Sequence, residues 1–312
     1  MPLGISPLVD FAFKKIFGSP ENVQALIGLL NAVLCLEHPI VSVEILNPFN
    51  YQEFKEAKQI ILDVRARDTT GRMLNVELQV AAFPGLLQRL TYYACSMYVE
   101  QLERGDDYHR LCSAISICFV NQNLHRGSAQ AHHWYQMVDR ESGRTFGDGI
   151  EVHTVELPKY NLREETIAVA SPLEQWAFFL LNAHRYDADR LRELLPAVEF
   201  QTAIIVVERI AEKTEDRVMY DQRERAIRDY EWSIASARDE GREQGMEQGI
   251  EQGIEQGIEQ GMEKGSIAGQ IQLTQDLLDE PPQSLSDLQQ LSIDELSQLL
   301  AELRTRLHDR LA

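Results

Sequence analysis

Asp63 and Glu77 are the residues best placed to do chemistry, two carboxylates that meet only if the chain between them folds back. They lie in Gln59-Ile-Ile-Leu-Asp-Val-Arg-Ala-Arg-Asp-Thr-Thr-Gly-Arg-Met-Leu-Asn-Val-Glu-Leu-Gln-Val80. Two β-rich runs there flank Asp68-Thr-Thr-Gly71, a composition that predicts a hairpin. Side chains alternate across a strand. Ile60, Leu62, Val64 and Ala66 therefore share one face with Leu74, Val76, Leu78 and Val80. Asp63, Arg65 and Arg67 share the other with Asn75, Glu77 and Gln79. Two hard oxygen ligands on adjacent strands suit Mg²⁺ or Mn²⁺. Gln79 points the same way and could orient a water. The same pattern also describes the solvated face of a half-polar hairpin, and the residues alone leave both readings open.

Other reactive side chains offer less. His132 and His133 fall in a strand pattern, so they face opposite ways and do not readily share one metal. Cys35, Cys95, Cys112 and Cys118 lie in apolar stretches without CxxC spacing, which reads as buried, reduced thiols. There is no GxSxG, Walker loop or GxGxxG.

The hairpin needs a scaffold. Ser6-Pro7 predicts a helix through Phe17 with Ser6 as its N-cap, and Ser19-Pro20 predicts a second to about Leu36. Strands are expected at Ile40–Leu46, Leu111–Val120, Ala131–Val138 and Ile150–Leu157, with Leu111–Val120 central. Helices are expected at Leu86–Arg104, Pro172–Ala183 and Phe200–Glu212. From Gly241 a Gly-Met/Ile-Glu-Gln tetrapeptide repeats. Glycine costs a helix roughly 1 kcal/mol per position relative to Ala, so this stretch is either a solvated spacer or a stripe that self-associates. Ser292-Ile-Asp-Glu295 then has capping-box spacing and opens an amphipathic helix through Leu296, Leu299, Leu300, Leu303 and Leu307. Three regions result: a domain over 1–235, the repeat over 236–278, and a linker with C-terminal helix over 279–312.

Composition bounds the function. The chain has 312 residues, 44% of them hydrophobic and 25% charged, with net charge −19. Residues 1–160 hold 14 Lys and Arg against 18 Asp and Glu, and residues 161–312 hold 16 against 31. The acidity is concentrated in the second half, so a basic groove in the first half is still compatible with the total. No apolar run approaches the roughly 20 residues of a membrane span. The N-terminus lacks signal-peptide layout, so a cytoplasmic location without membrane contact is expected.

Several segments together carry a resemblance. They are Asp10-Phe-Ala-Phe-Lys-Lys-Ile-Phe-Gly18, Leu30-Asn31, Lys58 with Leu62-Asp63-Val64, Gly71, and Asn75-Val-Glu-Leu-Gln79. They continue as Arg89 to Tyr93, Tyr98, Gln101, Gly105, Tyr108, Glu156-Leu-Pro-Lys159 and Trp176-Ala-Phe-Phe. In order and spacing they resemble the bacterial recombination-promoting nuclease and transposase family of the PD-(D/E)XK nucleases, over about residues 1–230. The resemblance implies an α/β restriction-endonuclease-like core with a mixed central sheet flanked by helices, followed by a helical glycine-repeat extension. It implies a Mg²⁺- or Mn²⁺-dependent DNA endonuclease, promoting recombination or linked to mobile elements. Asp63, Glu77 and the Leu78 carbonyl would hold the metal. Asp10 matches an acidic position that could add a ligand through water, and equally reads as an i,i+4 partner of Lys14.

One position departs from the superfamily pattern, because Gln79 stands where Lys is usual. Glutamine supplies no positive charge, so another cation is needed, with Lys58 first in line and Arg89 next. Arg89 and Tyr93, one helical turn apart, are placed to meet a phosphate and a base or to pair with Glu77. Lys14 and Arg65 complete the candidate nucleic-acid contacts. The alternative function is an inactive nuclease-fold module that homo-oligomerises through the glycine-repeat tail.

Overall fold

The alternation around Asp68-Thr-Thr-Gly71 folds as expected. In the computed structural model, which describes residues 1–50, 63–79 and 83–311, β2 (Asp63–Asp68) and β3 (Met73–Gln79) form an antiparallel hairpin with Val64 facing Val76 and Ala66 facing Leu74. The turn is closed by Asp68, whose Oδ1 accepts from Thr70 N, Thr70 Oγ1 and Arg72 N, while Oδ2 accepts from Arg72 Nε at 2.6 Å. Gly71 has φ +90, and a Cβ there would sit 2.7 Å from Cys112 Sγ, so both conformation and space call for glycine.

Burial would raise the Asp68 carboxyl, but the hydrogen bonds from Thr70 and Arg72 outweigh it and hold the group below its usual range. A depressed folded-state pKa contributes stability that is full above the unfolded value, roughly 3.9, and fades as pH falls through the folded value. The stability gap between the wild type and Asp68→Asn is therefore expected to be widest near neutrality and to narrow below about pH 4. Urea midpoints of both proteins across that range check this, and a gap independent of pH would refute it.

Around the hairpin the described strands form a six-stranded sheet in the order β1-β2-β3-β4-β6-β5. Its other members are β1 (Val43–Ile45), β4 (Ala114–Val120), β5 (His132–Gln136) and β6 (Ile150–Glu156). β3, β4 and β6 run parallel, whereas β1 and β5 close the two edges antiparallel. Every residue of β3 and β4 is buried, as expected of strands covered on both faces.

One face carries Val64, Ala66, Leu74, Val76, Leu78, Ile115, Ile117, Phe119 and Val155 into the main core. There it meets α1 (Asp10–Phe17), α2 (Val23–Leu34), α4 (Pro172–Asn182) and α6 (Val198–Glu212), with α5 (Ala188–Leu194) against α6. Trp176 joins three of these helices, its ring 5.5 Å from Phe17 and 4.3 Å from Phe200. α2 and α6 cross so closely at Gly28 that an added Cβ would fall 2.5 Å from the Glu199 Cβ. The opposite face is covered by α3 (Leu86–Val99), which sets Leu86, Leu90 and Ala94 on Cys118, Val120 and Val152.

Local chemistry moved several boundaries. α1 begins at Asp10, and Ser6 is not its N-cap: the Ser6 carbonyl accepts from Val9 N in a preceding turn, and Ser6 N donates to the Tyr220 hydroxyl. α2 stops at Leu34, where Cys35 turns left-handed at φ 47. α3 ends at Val99 rather than Arg104, because the Gln101 side chain pairs with both backbone groups of Cys112. Only one thiol matches the expectation of burial: Cys118 is buried, Cys95 and Cys112 are half-buried, and Cys35 is exposed at the end of α2. All four are free.

By contacts the chain divides into Met1–Glu231 and Trp232–Ala312. Helix α7 (Thr214–Leu277) contributes to both units and contains the glycine repeat. In the second unit, α8 (Leu285–Gln290) and α9 (Ile293–Leu311) bring Leu288, Leu296, Leu300 and Leu303 against Ala268, Ile271 and Leu278. Ser292 and Glu295 cap α9 reciprocally, as their spacing predicts. No described helix is long and apolar enough to cross a membrane.

Candidate active site

Asp63 and Glu77 face each other directly in the β2–β3 register, and directly opposed residues share a sheet face. For Asp63 this backbone placement is what is described; its side chain lies outside the described residues, as does Lys58. The same face carries Asn75 and Gln79, and all three β3 polar residues are buried, Glu77 to 3% exposure. The face is therefore not the solvated side of a hairpin, because α3 lies over it. A polar strand face roofed by a helix is costly unless its groups have partners.

Most of Glu77's partners come from one side. Arg89, on the first turn of α3, donates Nη2 to Glu77 Oε1, and Gln79 Nε2 donates to the same oxygen at 2.5 Å. The second oxygen, Oε2, is buried and accepts from no group among the described residues. A buried carboxylate oxygen with no described donor has the donor chemistry that a hard cation takes. Arg89 is held in turn, its guanidinium 4.8 Å from the Phe83 ring and 5.6 Å from the Tyr93 ring. Glu77, Gln79, Arg89 and Tyr93 thus form one connected group, and pairing with Glu77 is the role Arg89 fills. The Leu78 side chain enters the main core while its backbone lies between Glu77 and Gln79 on β3.

The remaining candidates lie elsewhere. Asp10 is fully buried and takes Arg223, with Nε at 2.9 Å and Nη2 at 2.7 Å from Oδ2, while Oδ1 accepts from Phe11 N. Burial pushes its carboxyl up against the pull of that guanidinium. These contacts account for Asp10 without a metal. Lys14 is buried on the same helix. Arg65, across the sheet from Asn75, ion-pairs with Glu100 at 2.6 Å.

Two features escaped the sequence. Asn75 Nδ2, Ser116 Oγ and Thr154 Oγ1 are buried without a hydrogen-bond partner among the described residues, on the face that bears Glu77. At the end of β6, Glu156 meets His125 and His133. His132 and His133 do face opposite ways, as alternation required, but His133 finds a second histidine from the loop before β5. Its signal was spatial, so nothing in the spacing revealed it.

A mixed sheet flanked by helices, with an acid pair on neighbouring antiparallel strands, fits the PD-(D/E)XK nuclease fold, a class of phosphodiester hydrolases that generally use divalent metals and act on DNA. The chain belongs to the PD-(D/E)XK nuclease family transposases, whose family model matches residues 7–237. Neither the curated proteins nor the solved structures contain a significant match.

Proposed function

We propose that this protein is a metal-dependent DNA endonuclease, acting in recombination or on mobile-element DNA, with Asp63 and Glu77 as the metal-holding carboxylates. The observation that carries the proposal is the buried Oε2 of Glu77, which accepts from no described group, on the strand position facing Asp63. Mg²⁺ or Mn²⁺ bound there, with the Leu78 carbonyl as a third donor, would polarise a phosphodiester and activate the attacking water.

The chain's own residues supply the rest. Arg89 and Gln79 grip Oε1, which fixes the carboxylate plane, while Oε2 accepts from no group among the described residues. Gln79 brings no charge, and Arg89 supplies a guanidinium beside the place where the superfamily's Lys would stand. Arg89 is a third exposed, so it can pass from Glu77 to a phosphate oxygen. Tyr93 lies under that guanidinium, where a base could stack. Lys58 is kept in this proposal as a second cation.

The test is cleavage of supercoiled plasmid in Mg²⁺, Mn²⁺, Ca²⁺ or EDTA. Nicking that appears with Mg²⁺ or Mn²⁺ and vanishes in EDTA is expected. Absence of cleavage by folded protein on every DNA form tried would favour the other reading, a non-catalytic nuclease-fold protein that assembles through its tail. The repeat of α7 supports that reading. Ile250, Ile254 and Ile258 are exposed along the helix, and beyond the helix's own backbone and the adjoining residues no described atom lies within 4 Å of where a Cβ would stand on Gly249, Gly253 or Gly257.

A further inference from the structure

Far from the hairpin in sequence, three ligating groups converge on the β5–β6 side of the sheet. His125 comes from the loop after β4, His133 from β5 and Glu156 from the last position of β6, with ligand atoms all within 4.8 Å of one another. The two histidine rings lie 4.5 Å apart between centroids. Glu156 is fully buried and its oxygens are treated unequally. Oε2 accepts from Leu124 N, His125 N and Lys159 Nζ at 2.7, 3.2 and 2.9 Å. Oε1 is buried without a hydrogen-bond donor among the described residues and lies 3.3 Å from His133 Nε2.

We propose that His125, His133 and Glu156 form a second metal site, separate from the proposed nuclease centre and suited to Zn²⁺. Two imidazoles and one carboxylate are the donor set of a three-ligand zinc site, which leaves a fourth position for water. Zinc bonds of about 2.0 Å in a tetrahedron separate neighbouring ligands by about 3.3 Å. The His133–Glu156 pair already has that separation. His125 must give up its Nε2 contact with the Tyr135 hydroxyl, at 2.7 Å, or bind through its other nitrogen, and His133 must turn its Nε2 from the Gln130 carbonyl, at 3.1 Å. Imidazole donors favour Zn²⁺ over Mg²⁺, which prefers all-oxygen octahedra. The grip on Oε2 is the outer support such a site needs, since it fixes the carboxylate with Oε1 turned to the histidines. Lys159, on that same oxygen, adds a positive charge that weakens the site without blocking it.

The location gives the site a consequence. Glu156 is in register with Val120, and Val120 with Gln79. At about 4.8 Å per strand, Glu156 therefore lies about 10 Å from Gln79, on the same face and at the same end of the sheet. A metal here would pin the loop carrying His125 beside the proposed DNA-cleaving face.

The test is Zn²⁺ titration of the full-length protein against a chromophoric chelator, with bound metal counted by mass spectrometry after desalting. Wild type and Glu77→Gln are expected to retain one equivalent, and His125→Ala and His133→Ala to lose it. Co²⁺ in place of Zn²⁺ should give visible d–d bands in the first pair only. Both histidines are partly exposed, so their truncation tests the site without removing the buried carboxylate. Failure of wild type to retain zinc, or retention undiminished in the His125→Ala/His133→Ala double variant, would overturn the site. Loss in Glu77→Gln alone would assign the zinc to the nuclease centre instead.

Discussion

Replacing Glu77 by Gln is expected to lower DNA cleavage by on the order of 10³-fold while leaving the fold intact. Glutamine keeps the shape of the side chain and can still accept from Arg89 Nη2 through its amide oxygen. It presents an NH₂ group where Oε2 now stands buried and without a donor. That exchange removes both the charge and the lone pairs a hard cation needs. Circular dichroism and thermal melting should report an unchanged fold, which separates a chemical effect from a structural one. Cleavage within a few-fold of wild type would show that Glu77 is a buried partner of Arg89 and no more.

Trp176→Ala is expected to cost about 3–5 kcal/mol of stability, the range for truncating a large buried aromatic. The ring is 1% exposed and packs on Phe17, Phe179 and Phe200, with the Phe179 contact edge-on at 5.7 Å. It therefore holds α1, α4 and α6 together beneath the sheet that positions Glu77. A guanidinium denaturation series on both proteins gives the difference directly. A loss below about 1 kcal/mol would mean that neighbouring rings refill the space.

The hairpin was legible because its information is local. Alternation sorted Val64 and Ala66 from the Glu77 face, and Asp68-Thr-Thr-Gly71 marked the turn, so the placement of Asp63 and Glu77 on adjacent strands followed, and the structure adds that they pair directly. The capping box of Ser292 and Glu295 was equally readable, since its spacing lies within the first turn of α9. Readability failed where a distant partner decides. Asp10 and Arg223 are far apart in the chain, and no periodicity predicts that they meet. The same holds for Lys14, whose burial follows from helices packing around α1, and for Ser6, which serves Tyr220. Whether the polar face of β3 was solvated or roofed depended on where α3 settled, and strand alternation does not carry that information. His125, His133 and Glu156 come together only once β5 has paired with β6.

If positions 63 and 77 together make the catalytic centre, Asp63→Ala is the sharpest probe of it. A time course of plasmid cleavage in Mg²⁺ would compare wild type with this variant at equal concentration and matched melting temperature. Nicking by wild type and background-level product from Asp63→Ala are expected. Cleavage by the variant at the wild-type rate would contradict it, and would place the chemistry away from the hairpin.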